Sequence, residues 1–313
     1  MSQILTITLN PALDLATSTE VVRPNVKLRC GPETAEPGGG GVNVARAVTQ
    51  LGGQARAVVA LGGTTGSALG QLLSDYNLDV LEVAAPGDTR HSFAVTDQTS
   101  GDQFRFVLNG PTWTQAQLGA VLDDIVAEAT EDALIVFSGS MPPGAEVGFL
   151  TRACDRLSPR RVIIDTSGPH LEHQAGGPAP APFVLRMDSH EARELSGQPL
   201  VTREDSAAFA EVLRQKGAGE IVIIARGADG SVMATPEGRW HVTAANETVV
   251  SAIGAGDSFV GGFTMSIAKG SPAPEALRSG AAAASAAVLS PGTQLCRPED
   301  FEALLPLTEL TQL

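Results

Sequence analysis

The sequence predicts an α/β fold, a mostly parallel sheet sandwiched by helices with a small antiparallel β lid, and three observations carry that prediction. Apolar runs too short for a helix alternate with helical periods through most of the chain, and each run ends in polar or glycine residues, as buried parallel strands do. Two glycine turns, Gly38-Gly39-Gly40-Gly41 and Gly254-Ala255-Gly256, lead directly into well-patterned helices. Between residues 89 and 108 the texture changes to the two-residue alternation of a hairpin.

Taken in order, Ile4 to Leu9 reads as a short buried strand ended by Asn10-Pro11, with Asp14 just beyond it. Residues 12–36, which include Lys27 and Arg29, show no helical period and read as short strands or loop outside the main sheet. After the glycine run, Val44, Val48 and Leu51 share a helix face, with Gly52-Gly53 as the stop. Ala55 to Leu61 is a second buried strand, and residues 66–76 form a helix with Leu69, Leu72 and Leu73 on its apolar side. His91 to Asp97 and Gln103 to Leu108 are the hairpin arms, whose pairing is expected to bring Arg90 and Arg105 to one end of the lid. Strands then fall at Leu134 to Phe137, Val162 to Ile164, Phe183 to Leu185 and Ile221 to Ile224. Helices fall at 114–130, 145–157, 189–196, 203–216, 255–269 and 273–290, and the proline-rich segment 168–182 reads as a surface loop. The whole is expected to be one domain, 1–313, with the lid built from about 12–36 and 89–108.

A chain of 313 residues with formal charge −14 and a pI near 4.7 has no basic face for nucleic acid or an acidic membrane, so neither is expected as a partner. No stretch approaches 18 uninterrupted apolar residues, and the amino terminus lacks a basic region followed by an apolar run, so a cytoplasmic location is expected. Cys30, Cys154 and Cys296 are too scattered for a disulfide framework or a CxxC metal site. His170 and His173 have no third ligand in view.

The turn at 254–257 carries the chemistry. Gly254 and Gly256 bare the backbone where a helix begins, so unpaired N–H groups and the positive end of the helix dipole can face an anion. A carboxylate at Asp257 is repelled by that anion unless it works on a proton, which points to a general base. The same residue also fits an ordinary first-turn acid. The Gly38–Gly41 turn allows close backbone approach to a ligand but matches neither GxxxxGK[ST] nor GxGxxG. Arg90 and Arg105 are suited to clamp a phosphate, or to keep a lid edge solvated. The small side chains around Ser285 fit a flat ligand or close helix packing.

The ordered set Thr6-Ile7-Thr8-Leu9-Asn10-Pro11-Ala12-Leu13-Asp14, Lys27-Leu28-Arg29-Cys30, Pro37 to Ala47, Ser138-Gly139-Ser140-Met141-Pro142-Pro143-Gly144, Gly254-Ala255-Gly256-Asp257-Ser258 and Gly292-Thr293-Gln294-Leu295-Cys296 resembles the PfkB family of ribokinase-like sugar kinases. The likeness spans nearly the whole chain, and the four-glycine form favours the 6-phosphofructokinase branch. The resemblance implies ATP-dependent phosphorylation of fructose 6-phosphate at C1, with Asp257 as base. It implies that Gly254, Ala255 and Gly256 cradle the γ-phosphoryl and that Lys27 bridges donor and acceptor. Asp14, Gly39, Gly40 and Asn43 would hold sugar hydroxyls, while Arg90, Arg105 and Ser138 would serve the 6-phosphate. Arg186, Asp188, Arg226, Gly227 and Ser285 would line the nucleotide site, with Asp188 and Glu191 near Mg²⁺. A monovalent cation such as K⁺ would sit on backbone near Ser251, Ile253 and Gly292, and the family implies a homodimer formed through the lids.

The chain departs from the family in three places, one of them Ala252, where threonine is common. Lys-Pro-Asn-x-x-Glu becomes Arg186-Met187-Asp188-Ser189-His190-Glu191, and Ser-Leu-Gly becomes Ala225-Arg226-Gly227. The alternative acceptors are those of a 1-phosphofructokinase or a tagatose-6-phosphate kinase. The alternative of another class is a catalytically silent sugar-phosphate or nucleotide sensor.

Overall fold

The computed structural model describes residues 2–245, 249–290 and 294–313. In its first part come β1 (Ile4–Thr8), β2 (Ala12–Thr19), β3 (Thr34–Gly38), α1 (Gly40–Gln50), β4 (Arg56–Leu61), α2 (Gly63–Asp75), β5 (Asp79–Ala84), β6 (Arg90–Asp97) and β7 (Gln103–Val107). The middle holds α3 (Gln115–Glu128), β8 (Leu134–Ser138), α4 (Phe149–Leu157), β9 (Arg161–Asp165), α5 (Gly168–Ala175), β10 (Val184–Met187), α6 (Ser189–Ser196), α7 (Arg203–Gln215) and β11 (Ile221–Ala225). The chain ends with β12 (Ser231–Thr235), β13 (Gly238–Val242), α8 (Ala255–Ala268), α9 (Ala273–Ala287), α10 (Pro298–Leu304) and β14 (Leu310–Gln312).

Ten strands form the main sheet in the order β14-β13-β12-β11-β10-β9-β8-β1-β4-β5. The run from β11 to β5 is parallel, and β12, β13 and β14 continue it antiparallel. From β1 the chain goes first to one side, into β4 and β5, and later to the other, into β8 and its successors. Beside β1, therefore, the strand order reverses, which opens a crevice at the carboxyl ends where α/β folds bind ligands. Helices cover both faces: Leu118, Phe149 and Leu213 pack on one, while Val44, Phe259, Phe263 and Leu277 pack on the other.

The predicted spacing of Phe259 and Phe263 is realised as a buried stacked pair, with ring centroids 6.2 Å apart on α8. That helix is squeezed between two others. A Cβ on Gly261 would lie 2.8 Å from the Ala47 Cβ of α1, and one on Gly262 would lie 2.7 Å from the Ser279 carbonyl of α9. Gly-Gly here buys the close approach that brings α1 and its preceding glycine turn against the start of α8.

The remaining strands β2, β3, β6 and β7 form a separate sheet in the order β3-β2-β6-β7. Its outer pairs are antiparallel, as expected of the hairpin, while the central β2–β6 pair is parallel. The segment 168–182 is not all loop. Pro169 occupies the first turn of α5, where its missing N–H costs nothing, and Leu171 and Ala175 are buried. The strands β5, β12, β13 and β14 lie outside the runs singled out by the sequence, and they lie at or toward the sheet's edges.

Candidate active site

At the start of α8, Gly254 adopts φ 77°, a left-handed conformation that turns the chain into the helix. The first-turn N–H groups that follow have no intrahelical partner. Asp257 is in that turn, and its Oδ2 accepts a hydrogen bond of 2.9 Å from Asn43 Nδ2 on α1. Burial, with some help from the nearby Asp165 charge, pushes the Asp257 carboxyl up to about 7, against the pull of Asn43, Arg186 and Arg46. A carboxyl that titrates there is poised to take up or hold a proton near neutrality.

Beneath this turn runs a polar chain across the strand ends. Arg186 Nη1 donates to Asp165 Oδ1 at 2.9 Å, and Ser138 Oγ donates to Asp165 Oδ2 at 3.3 Å. Ser138 also packs against the glycine turn, where a Cβ on Gly40 would lie 2.4 Å from its Oγ. Gly39, at φ 128°, precedes α1 and brings its backbone to the crevice. One residue earlier, a Cβ on Gly38 would lie 2.2 Å from Asp14 Oδ2. The glycines are thus required by what lies against them.

Two cavities flank the turn. One, of about 380 Å³, is lined by Arg186, Asp188, Gly227, Gly256, Phe259 and Ser285, with small apolar residues of α9 along one wall. The other is lined by Asp14, Glu36, Ser92, Arg105 and Ile253. Ile253 faces one and Gly256 the other, so the turn that carries Asp257 is their shared wall. In the first cavity Ser285 Oγ accepts from the Ala245 N–H at 3.0 Å.

Not every predicted residue arrives where the sequence put it. Arg226 is turned away from the cavity: its guanidinium donates to Asp229 Oδ2, to the carbonyls of Leu200 and Val201 and to Ser206 Oγ, and so joins the α6–α7 connection to the end of β11. Arg90 and Arg105 share one face of the small sheet but not one end. The register places Arg105 opposite Ala94, four residues beyond Arg90, about 13 Å along the strand. Arg90 instead donates to the Asn10 carbonyl at 3.1 and 3.2 Å and to the Leu108 carbonyl at 3.3 Å, beside Ser140. Ser138, being tied to Asp165, does not line the cavity that Arg90 lines. Lys27 is exposed on the β2–β3 connection and lines neither cavity flanking the turn. Ser251 and Ile253 lie just before the turn, whereas Gly292 lies outside the described residues.

The pattern of the pfkB family carbohydrate kinases matches residues 8–300. The chain belongs to that family. A 6-phosphofructokinase of Mycobacterium tuberculosis, named ATP-dependent isozyme 2, is 39% identical over 307 residues, covering 97% of this chain and 89% of the relative. The isozyme 2 of Escherichia coli is 36% identical over 306 residues, covering 97% and 98%. Solved structures of that phosphofructokinase-2, in complex with potassium and with fructose-6-phosphate, superpose with TM-scores of 0.91 and 0.89, at 35% and 34% identity, each covering 98% of this chain and 99% of the other. A 1-phosphofructokinase of Bacillus subtilis is 30% identical over 313 residues, covering 99% and 100%.

For a pfkB kinase the donor set at α6 matters. Asp188 Oδ1 accepts from the His190 and Glu191 N–H groups, and Glu191 Oε2 accepts from the Asp188 N–H, a capping box. Each carboxylate keeps a second oxygen. Burial, together with the charges of Asp188 and Asp165, raises the Glu191 carboxyl, a cost that a cation would relieve. One or two carboxylates completed by phosphate and water oxygens suit Mg²⁺. The set therefore fits a nucleotide-borne Mg²⁺, and among the described residues no larger cluster offers a dedicated cage.

Two residues with evident parts in this site were not singled out from the sequence. Asp165 was visible only as the polar residue ending β9, which is the signal that could have found it. Arg46 was hidden inside a helix pattern, and its three-residue spacing from Asn43 was the available clue.

Proposed function

We propose that this pfkB kinase transfers the γ-phosphoryl group of ATP to O1 of fructose 6-phosphate, giving fructose 1,6-bisphosphate and ADP. The observation that carries the reading is Asp257: a carboxyl titrating at about 7, bonded to Asn43, on the turn between two cavities. The larger cavity suits the nucleotide, with the adenine against the small residues of α9 near Ser285 and the phosphates toward Arg186, Gly227 and Gly256. The acceptor enters from the Asp14 side, its hydroxyls held by Asp14, Asn43 and the backbone of Gly39 and Gly40 and its phosphate toward Arg105, which lines that cavity, while Lys27 would bridge donor and acceptor.

Asp257 takes the proton of the C1 hydroxyl as that oxygen bonds to the γ-phosphorus, and the bond from phosphorus to the β-γ bridging oxygen breaks to release ADP. The N–H groups of Gly254, Ala255 and Gly256 and the Arg186 guanidinium meet the negative charge on the phosphoryl oxygens. Asp188 and Glu191 would hold a nucleotide-borne Mg²⁺, which would supply positive charge against the phosphate oxygens. The Escherichia coli relative is solved in complex with potassium, and on the family resemblance a K⁺ here would lie near Ser251 and Ile253.

The four-stranded sheet serves as the lid of a single kinase domain, working in the cytoplasm. Its exposed Phe104, Phe106, Val107 and Leu108 favour pairing with a second copy into a homodimer. A monomer in sedimentation at micromolar concentration would remove that part of the reading.

The deciding experiment is ADP release measured with fructose 6-phosphate, fructose 1-phosphate, tagatose 6-phosphate, fructose and ribose as acceptors. Fructose 6-phosphate is expected to give the highest kcat/KM. A preference for fructose 1-phosphate would assign the chain to the activity of its Bacillus subtilis relative, and turnover with none of them would make it a sensor.

A further inference from the structure

Arg46 lies three residues beyond Asn43 on α1 and is 4% exposed, yet phosphoryl transfer as described above makes no use of it. Its Nη1 donates to Asn43 Oδ1 at 3.2 Å, and Asn43 Nδ2 donates in turn to Asp257 Oδ2 at 2.9 Å. The guanidinium is steadied by Tyr76, whose ring centroid is 4.2 Å from Cζ. Its Nε has no hydrogen-bond partner among the described residues. Burying a cation with a donor unsatisfied costs free energy, so its retention here calls for a reason.

The chemistry of the two partners supplies one. A carboxamide can turn over by 180° and offer either its oxygen or its NH₂ group, with little change in shape. A guanidinium only donates. With Arg46 in place the Asn43 oxygen must face it, and the NH₂ group must face Asp257. Without Arg46 the amide is free to turn over and accept a hydrogen bond from a protonated Asp257, which favours the form that cannot act as a base.

We propose that Arg46 is a positioning residue: it fixes the Asn43 carboxamide so that it donates to Asp257 and holds that carboxylate in its proton-accepting form. The proposal rests on the reading of Asp257 as the base. Asp257 is faced by Asn43 and Arg46 from α1, by Asp165 from β9 and by Arg186 from β10. Arg46 is faced by Tyr76 after α2, Glu36 on β3, Asp14 on β2 and Asp257 on α8. Among the described residues its side-chain hydrogen bond goes to Asn43, so its link to the base runs through that amide.

The test is the pH profile of kcat/KM for fructose 6-phosphate in Arg46→Gln and Arg46→Lys. Gln can accept as well as donate and carries no charge, so its acid limb is expected to move up by on the order of one pH unit, a loss of about tenfold on that limb that fades at high pH. Lys only donates, and its limb is expected to stay at the wild-type position. A folded Arg46→Gln with an unmoved limb and a uniform loss at every pH would overturn the proposal and leave Arg46 a structural residue. Should Arg46→Gln fail to fold, Tyr76→Leu decides: loosening the guanidinium is expected to move the limb the same way by less, and an unmoved limb overturns the proposal. Asp257→Asn separates the two levels. Full turnover in that variant removes the base itself, whereas lost turnover with an unmoved limb in Arg46→Gln removes only the positioning role.

Discussion

Arg186 Nη1 donates to Asp165 Oδ1 at 2.9 Å with both side chains nearly out of reach of water, 13% and 12% exposed. The same guanidinium lies against Gly256, where a Cβ would sit 3.2 Å from both Nη atoms. A positive charge is thus pinned beneath the Gly254–Gly256 turn by a carboxylate that a third residue, Ser138, also holds. Removing one partner of such a pair leaves the other charge buried and uncompensated. Asp165→Ala is therefore expected to lose about 3–5 kcal/mol of stability in urea unfolding. A loss below about 1 kcal/mol would mean that water reaches Arg186 freely and that the pair behaves as a surface bridge.

If Asp257 is the base proposed above, its carboxyl, raised to about 7, sets the acid limb of the reaction. A base must be ionised to work, so kcat/KM for fructose 6-phosphate should fall tenfold for each pH unit below the apparent pKa and level off above it. Asp257→Asn is expected to cut kcat by about 10²–10⁴ with KM little changed. A wild-type profile that stays flat down to about pH 5 would contradict the raised carboxyl, because an ordinary aspartate ionises well below that pH.

The same shift has an opposite consequence for stability. In the unfolded chain this carboxyl ionises near its ordinary value of 3.8, whereas the folded protein holds the proton until about 7. Between those values the folded state binds more protons, so raising the pH favours unfolding. The contribution is fully present below the unfolded pKa and is lost as pH rises through the folded one. Asp257→Asn removes the ionisation and is expected to melt roughly 2–6 °C above wild type at pH 8, with the difference closing near pH 4. An inactive variant less stable than wild type at pH 8 would show that the carboxylate is welcome where it lies.

Much of this site was legible in the chain because its parts are local. Glycine runs opening patterned helices gave the starts of α1 and α8, and apolar runs ending in polar residues gave the strands whose carboxyl ends form the crevice. Asp257 could be named from its own turn, whereas Asn43 came from the family resemblance. What sequence could not show was how long side chains settle. Arg90 and Arg105 lie on adjacent strands, but the β6–β7 register spreads them along one face. Arg46 reads as a polar residue in a helix until Tyr76 and Asn43 fold around it. The helix α5 was masked by a high local density of proline and glycine, although Pro169 sits where a helix tolerates it.

Arg226 shows the same gap most plainly, and its two possible roles predict different losses. The sequence sets an arginine beside Gly227 in place of a family leucine, next to Ala225 where the family has a hydroxyl, which reads as a contact to the nucleotide. In the fold the guanidinium is already satisfied by Asp229, by Ser206 and by two carbonyls of the α6–α7 connection, and its side chain is only 12% exposed. A truncated side chain would leave those two carbonyls and one carboxylate oxygen without their donors, next to the end of β11. Arg226→Ala is therefore expected to cost about 2–4 kcal/mol in unfolding while KM for ATP changes less than about threefold. A tenfold rise in KM for ATP at unchanged stability would return Arg226 to the nucleotide site.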